Sequence, residues 1–143
     1  CGRRYGTRQG LPVDIGQNEA TSKVMEQAKK LADGFDVSFV LLHVLDVIPS
    51  FVEVRIPSEL LKGHEQAAAA KMAELAAVYG IQDRCECVVR RGRAQHEIVR
   101  MAEETGADII VIASHQPAAS DILLGSVAAS VVRHAPCSVM VLR

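Results

Sequence analysis

The sequence of 143 residues has few aromatic residues and no long apolar run. Phenylalanine, tyrosine and tryptophan together make up 3% of the chain, and tryptophan is absent. Proteins that bind single-stranded nucleic acid stack its bases on aromatic side chains, and this chain offers few of them. No apolar run approaches the roughly 18 residues that span a membrane, and no signal peptide is recognisable. These absences predict a protein that binds neither nucleic acid nor a membrane.

Basic and acidic residues are nearly balanced in number. Sixteen basic residues stand against seventeen acidic ones, so the formal net charge is -1. A dedicated nucleic-acid binder normally carries a basic excess, which this chain lacks, although a local basic site for a phosphate remains compatible. The apolar residues, 49% of the chain, are mainly Ala, Val, Ile and Leu. This composition and length predict one domain over residues 1–143, with a parallel sheet buried under helices.

The four cysteines lack the spacing of a metal site. None belongs to a Cys-x-x-Cys pair, whereas a zinc ribbon needs two such pairs. Cys85 and Cys87 alternate along a predicted strand and so point the same way, Cys1 is the first residue, and Cys137 precedes the last apolar run. Because cysteine usage follows the redox compartment, the pattern predicts reduced, structural thiols and a cytoplasmic protein.

Strand and helix patterns alternate along the chain. An unbroken apolar run at Val37–Leu45 is typical of a central parallel strand. The further predicted strands are Cys85–Val89, Asp108–Ala113 and Ser138–Leu142, and the predicted helices are Glu19–Ala32, Ser58–Tyr79, Ala94–Glu104 and Gly125–His134. We interpret Ser58 as a helix N-cap, Ile48–Pro57 as a loop, and Arg90–Arg93 as a turn, either solvated or reaching an anion. The alternation favours a parallel sheet with right-handed crossovers.

The first ten residues do not fit this pattern. A fold of this kind needs a strand before the first helix, yet the segment CGRRYGTRQG holds three arginines, three glycines and almost nothing apolar. Two interpretations remain open. Either the first strand is limited to about Leu11–Ile15 with irregular backbone, or residues 1–10 are altered or poorly ordered.

The most informative segment runs from Ile109 to Val127. A buried strand ends in the small residues Ala113 and Ser114, a loop follows, and Gly125-Ser126 opens a helix. Ligands of open α/β sheets bind beyond the carboxyl ends of the strands. The unpaired N–H groups and dipole of a helix start favour phosphate. The alternative is an ordinary helix N-cap, with glycine present for close packing.

Four motifs together resemble the universal stress protein family. They are PVDI near the amino terminus, LLHVLDV after the first helix, ASHxP, and the tail LLGSVAxxVVRHAPCSVxVLR, and the resemblance covers about Leu11–Arg143. It implies an open five-stranded parallel sheet of order 3-2-1-4-5 with helices on both faces. This is the Rossmann-like arrangement of adenine nucleotide alpha hydrolases. It also implies ATP as ligand, with or without Mg²⁺, and a homodimer.

The nucleotide-binding pattern of that family, G-2x-G-9x-G-S/T, is broken here. Ala113 and Gln116 replace the first two glycines, and eight residues separate Gln116 from Gly125. Read strictly, this departure suggests the branch that does not bind ATP. The segment Ser114–Pro117 followed by LLGS, however, resembles a subgroup with an SHRP-type loop that is associated with nucleotide binding. We take ATP binding as the expectation.

The resemblance assigns roles to individual residues. Asp14 would accept hydrogen bonds from the ribose hydroxyls or on the adenine side, or alternatively cap the first helix. Val44 would offer its backbone to adenine, or alternatively pack in the core, and His43 reads as a satisfied core histidine. The full set of implied nucleotide-binding residues is Pro12, Val13, Asp14, Val44, Ile112, Ala113, Ser114, His115, Gln116, Gly125, Ser126 and Val127.

No catalytic motif accompanies these residues. The sequence contains no P-loop, no GxGxxG, no HExxH and no defensible Ser-His-Asp set. We therefore expect a stress-response regulator that binds ATP without efficient turnover. One alternative is a slow ATPase or a self-phosphorylating or self-adenylylating protein, with Ser126 or a neighbouring hydroxyl as acceptor. The other is a homodimeric interaction module that no longer binds nucleotide. The apolar strand Ser138–Leu142 is the expected dimer edge.

Overall fold

The structure is a computed structural model, and it describes residues 6–16, 18–114 and 124–143. Its strands are β1 (Thr7–Pro12), β2 (Val37–Leu45), β3 (Cys85–Arg91), β4 (Ile109–Ala113) and β5 (Ser138–Leu142). Its helices are α1 (Asn18–Ala32), α2 (Ser50–Glu53), α3 (Ser58–Val78), α4 (Ala94–Thr105) and α5 (Ser126–His134), with a single 3-10 turn at Gln82–Arg84. None of the helices in these described ranges is long and apolar enough to cross a membrane.

The strands form one parallel sheet of order β3-β2-β1-β4-β5. Side chains alternate between its two faces, and each face is covered by two helices. Helices α1 and α3 pack on one face, where Leu11, Phe39 and Met72 are buried in one core. Helices α4 and α5 pack on the other, around Val40 and Ile110. The expected fold class and strand order are confirmed.

The amino-terminal segment departs most from expectation. β1 occupies Thr7–Pro12 and lies at the centre of the sheet, between β2 and β4, so the placement of the first strand at Leu11–Ile15 is wrong. A strand that is paired on both sides is held by backbone hydrogen bonds, which place no demand on side-chain polarity. Residues 1–5, the rest of the atypical stretch, lie outside the described residues.

Polar residues of β1 are accommodated individually. The Arg8 side chain donates to the Thr105 carbonyl at 3.1 Å, and the Arg8 N–H donates to Asp108 Oδ2 at 2.7 Å. Gly10 packs closely against Met101, because a Cβ at that position would lie 2.9 Å from Cε, the flexible end of the Met101 side chain. Gln9 is only 1% exposed, and its Oε1 is buried without a hydrogen-bond partner among the described residues.

Replacing Gln9 with methionine is expected to stabilise the fold. Methionine keeps the unbranched shape and removes a buried carbonyl oxygen whose missing hydrogen bond costs about 1–3 kcal/mol. We expect the free energy of unfolding to rise by about 1 kcal/mol in urea titrations, part of the gain being offset by imperfect packing. Gln9→Glu, which buries a carboxylate at the same place, should lower it. A destabilised Gln9→Met variant would contradict this account.

Other boundaries differ by smaller amounts. Arg90 and Arg91 continue β3 rather than forming a turn, and Ser50–Glu53 forms a short helix within the predicted loop. The residue that caps α3 is Pro57, so Ser58 is the first helical residue and not the N-cap. Strand β2 and strand β5 have the predicted bounds. The strands with continuous apolar sequences were therefore predicted correctly. The charged end of β3 was wrongly predicted as a turn.

Candidate functional site

A cleft of about 450 Å³ opens at the carboxyl ends of β1, β2 and β4. Strand order reverses between β1 and β4, and open α/β sheets bind ligands at this point. The walls come from strand ends and from the facing sides of α1, α4 and α5. The lining residues are Pro12, Val13, Asp14, Ala20, Thr21, Val24, Leu42, His43, Val44, Leu45, Asp46, Ala94, Ile98, Ile112, Ala113 and Val127.

The cleft exists because β1 and β4 separate. The two strands are in register only at Gln9–Ile109 and Gly10–Ile110. By contrast, β1 stays paired with β2 as far as Pro12–Leu42, and β4 stays paired with β5 as far as Ala113–Leu142. The carboxyl half of β1 therefore diverges from β4, and the gap becomes the floor of the cleft.

The backbone of Val44 faces this gap. Alternate residues of a parallel strand direct their N–H and C=O groups to opposite neighbours. The Leu42 carbonyl accepts from Val13 at 2.8 Å, on the β1 side, and the Leu45 carbonyl accepts from Gly92 at 3.1 Å, on the β3 side. Val44 lies two residues after Leu42, so its backbone also faces β1, beyond the last residue of that strand. The N–H and C=O groups of Val44 are therefore directed toward the cleft and away from β3.

Asp14 is held by its own loop. Its Oδ1 accepts the Gly16 N–H at 2.9 Å, and its carbonyl accepts the Thr21 hydroxyl at 2.7 Å. Helix α1 begins only at Asn18, so the alternative in which Asp14 caps that helix is wrong. The two hydrogen bonds fix the carboxylate at the cleft wall.

His43 lines the cleft, which the sequence interpretation missed. Its Nδ1 lies 3.1 Å from the Val13 carbonyl, and because a carbonyl only accepts, Nδ1 carries the proton. The bond joins the end of β2 to the segment after β1. His43 is thus satisfied, as expected, but at the site rather than in the core. Its position directly before Val44, a predicted site residue, could have indicated that His43 lies at the cleft.

At the start of α5, the Gly125 N–H is already hydrogen-bonded within the protein, whereas the sequence predicted it to be available to a phosphate. Gly125 is the N-cap, and its N–H donates to Ser114 Oγ at 3.1 Å instead of being left for a ligand. The N–H groups of the next residues, from Ser126 on, are the ones without acceptors inside the helix. Ser114 therefore anchors the helix start and leaves Ser126 and Val127 to face an anion.

The predicted site residues fall into three groups. Those that line the cleft are Pro12, Val13, Asp14, Val44, Ile112, Ala113 and Val127. Ser114, Gly125 and Ser126 lie at the start of α5, outside the lining, and His115 and Gln116 lie outside the described residues. Lining residues from α1 and α4 were not predicted, because tertiary packing rather than local sequence brings them to the strand ends.

Arg90 and Arg91 are tied to acidic residues and backbone. Arg90 pairs with Glu97 at 3.6 Å and contacts Glu104, while Arg91 donates to the Asp46 carbonyl at 3.0 Å. Hydrogen bonds from Arg90 and Arg100 lower the pKa of Glu104. The interpretation of these two arginines as a solvated turn is wrong, because both belong to β3 and Arg90 joins that strand to α4. Contact of this run with an anion stays a prediction.

Comparisons with known proteins agree with this geometry. The sequence model of the universal stress protein family matches residues 9–143. Universal stress protein G of Shigella flexneri is 35% identical over 137 residues, which cover 93% of this chain and 96% of that protein.

Solved structures show the same fold. Universal stress protein UspA from Lactobacillus plantarum aligns with a TM-score of 0.72 at 26% identity, covering 99% of this chain and 100% of that one. A universal stress protein in complex with cAMP aligns with a TM-score of 0.65 at 17% identity, covering 97% and 98%. The match of the family model to almost the whole chain, together with the curated relative, shows that the chain belongs to the universal stress protein family.

Proposed function

We propose that the chain binds ATP in the cleft at the carboxyl ends of β1, β2 and β4. The observation that carries the proposal is the convergence of the Val44 backbone, the Asp14 carboxylate and the start of α5 on one cleft. Its volume of about 450 Å³ falls within the range of small-molecule sites. Most of its other walls are apolar, which suits the faces of a planar base.

Each part of the nucleotide has a complementary group. The Val44 N–H and C=O offer one donor and one acceptor to an adenine edge, between apolar residues of β1 and α4. The Asp14 carboxylate accepts from ribose hydroxyls. The phosphates lie at the start of α5, where backbone N–H groups and the helix dipole favour negative charge. Asp14 lines the cleft, and its carboxylate is the one that suits Mg²⁺ carried on the phosphates.

The cAMP-bound neighbour supports the class of ligand. That protein holds an adenine nucleotide on the same fold, although its identity to this chain is only 17%. We extend adenine-nucleotide binding to this chain on the strength of its own cleft. Membership of the subgroup with the SHRP-type loop and the cytoplasmic location remain predictions from the sequence.

Thermal unfolding with and without ATP tests the proposal. A ligand present at 100 times its dissociation constant stabilises a protein by about 2.7 kcal/mol, so the melting temperature should rise with ATP concentration. Calorimetry then gives the affinity, and GTP serves as the comparison for base selection through Val44. Unchanged melting up to millimolar ATP, together with no heat of binding, would exclude ATP binding and favour the interaction module.

ATP turnover is expected to be slow. The proposed role is regulatory, and the sequence offers neither a water-positioning base nor a phosphate-binding lysine motif. We expect a steady-state rate below about 1 s⁻¹, the lower end of ordinary enzymes. Phosphate release measured with Mg²⁺-ATP tests this rate. Mass spectrometry of the incubated protein separates mere binding from transfer of a phosphoryl or adenylyl group to Ser126.

We further propose a homodimer through β5, which lies at one edge of the sheet. Leu142 accepts from Ser114 of the segment after β4, so the backbone groups of Val139 and Val141 face outward. Two copies that meet there about a two-fold axis pair their strands antiparallel. Val141→Pro removes an outward N–H and should give a folded monomer in light scattering. Monomeric wild-type protein at micromolar concentration would refute the dimer.

A further inference from the structure

Two cysteines lie together at the sheet edge opposite β5. Cys85 and Cys87 are two positions apart on β3, so both side chains point to the face covered by α3. Both are half-buried and reduced. Cys87 also lines a groove of about 280 Å³ with Lys62, Glu65 and Gln66 of α3. The pair is therefore packed, yet open to solution through the groove.

Strand geometry disfavours a disulfide between them. Same-face positions on an extended strand are separated by roughly 6.6 Å, twice the rise per residue. A disulfide needs Cβ atoms about 3.5–4.5 Å apart, so it would require the strand to buckle. An atom that bridges two sulfurs at about 2.3 Å each spans about 4.6 Å and needs a smaller distortion.

The donor set selects the metal. Thiolate ligands favour soft ions such as Cu(I) and Zn²⁺. Zn²⁺ requires three or four protein ligands, and among the residues that the structure describes no group of three or more His, Cys, Asp or Glu is placed to hold a metal. Cu(I) accepts two thiolates in a linear arrangement. We propose that one Cu(I) ion binds between Sγ of Cys85 and Sγ of Cys87.

Binding displaces two protons and transfers no electron. One Cu⁺ and two neutral thiols give two copper–sulfur bonds, a complex of charge -1 and two released protons. Lys62 lines the groove and offsets that charge, while Glu65 in the same groove and Glu86 on β3 oppose it. A cysteine thiol of ordinary pKa, about 8.5, is protonated near neutral pH, so both protons must leave when the metal binds. Affinity should therefore rise about a hundredfold per pH unit.

The test is an anaerobic competition of the reduced protein against the Cu(I) chelator bathocuproine disulfonate. We expect one Cu(I) per chain, and a dissociation constant that falls about a hundredfold between pH 6.5 and pH 7.5. Cys85→Ser and Cys87→Ser should each weaken binding at least tenfold. The double variant Cys1→Ser, Cys137→Ser keeps only the pair and should bind as the wild type does. Zn²⁺, which lacks further ligands here, should bind more weakly than Cu(I).

Three results would overturn the copper site. These are unchanged affinity in both single variants, a tenfold change per pH unit that reports one thiol, and loss of binding in the variant that keeps only the pair. Thermal unfolding of every variant checks the fold, and Cys85→Ala and Cys87→Ala replace any serine variant that does not fold.

Discussion

Replacing Asp14 with asparagine is expected to weaken ATP binding at least tenfold. Asparagine keeps an oxygen that can accept the Gly16 N–H, so the loop before α1 retains its hydrogen bond. It removes the negative charge that we propose accepts from the ribose hydroxyls, and hydrogen bonds to charged groups contribute about 1.5–3 kcal/mol. Isothermal titration calorimetry of the two proteins measures the ratio, and their melting temperatures without ligand should agree within a few degrees.

Asp46 provides the matched control. It also lines the cleft, directly after the end of β2, and it is exposed, as Asp14 is. If the charge of the cleft as a whole governed affinity, Asp46→Asn would change binding as much as Asp14→Asn does. We expect it to change binding less than about threefold, because no nucleotide contact is proposed for Asp46 and a screened surface charge alone contributes little. Equal effects of the two variants would show that Asp14 has no specific contact with the nucleotide.

Replacing Phe39 with alanine is expected to cost about 3–5 kcal/mol of unfolding free energy, a large part of the 5–15 kcal/mol typical of a whole protein. Phe39 is 1% exposed on β2, inside the core under α1 and α3. The Arg84 guanidinium lies 5.3 Å from its ring centroid. The smaller side chain leaves a cavity that the paired central strands cannot collapse. Urea unfolding measures the loss.

Phe35 is the control for this substitution. It is 70% exposed in the turn after α1, so the same chemical change removes little buried area. Phe35→Ala should alter the unfolding free energy by less than about 0.5 kcal/mol. A similar loss in both variants would mean that burial in the α1–α3 core does not set the cost at Phe39.

Much of the fold was predictable because its signals are local. β2 was located from an unbroken apolar run, and the end of α4 was marked by Gly106, which adopts a positive φ of 64°. β1 was not predictable, since its central place depends on pairing with strands that are distant in sequence. Gln9 and Gly10 carry no local strand signal. The close packing of Met101 on Gly10 is a contact between distant parts of the chain, and only the folded structure reveals it.

The site residues that belong to the family motifs were predictable from the sequence. Those that reach the cleft from other elements, through tertiary packing, were not. Asp14 and Val44 come from two such segments, and the structure brings both to one cleft. Thr21 and Ala94 reach the same cleft from helices, because of crossover geometry that no local pattern encodes. The bond between Gly125 and Ser114 was equally hidden, since eleven positions separate the two residues.

Because β1 and β4 pair over only part of their length, the sheet is joined at one end of this strand pair and open at the other. At the closed end, Arg8 and Asp108 exchange hydrogen bonds of 2.7 and 2.8 Å between the two strands. Toward the other end, no registered strand pair joins the described parts of β1 and β4 beyond Gly10–Ile110. Beyond that point the two strands are held at their separation by packed helices, with α1 in contact with both, and not by sheet hydrogen bonds. A molecule that contacts both β1 and β4 in the cleft would join the two strands where the sheet itself does not.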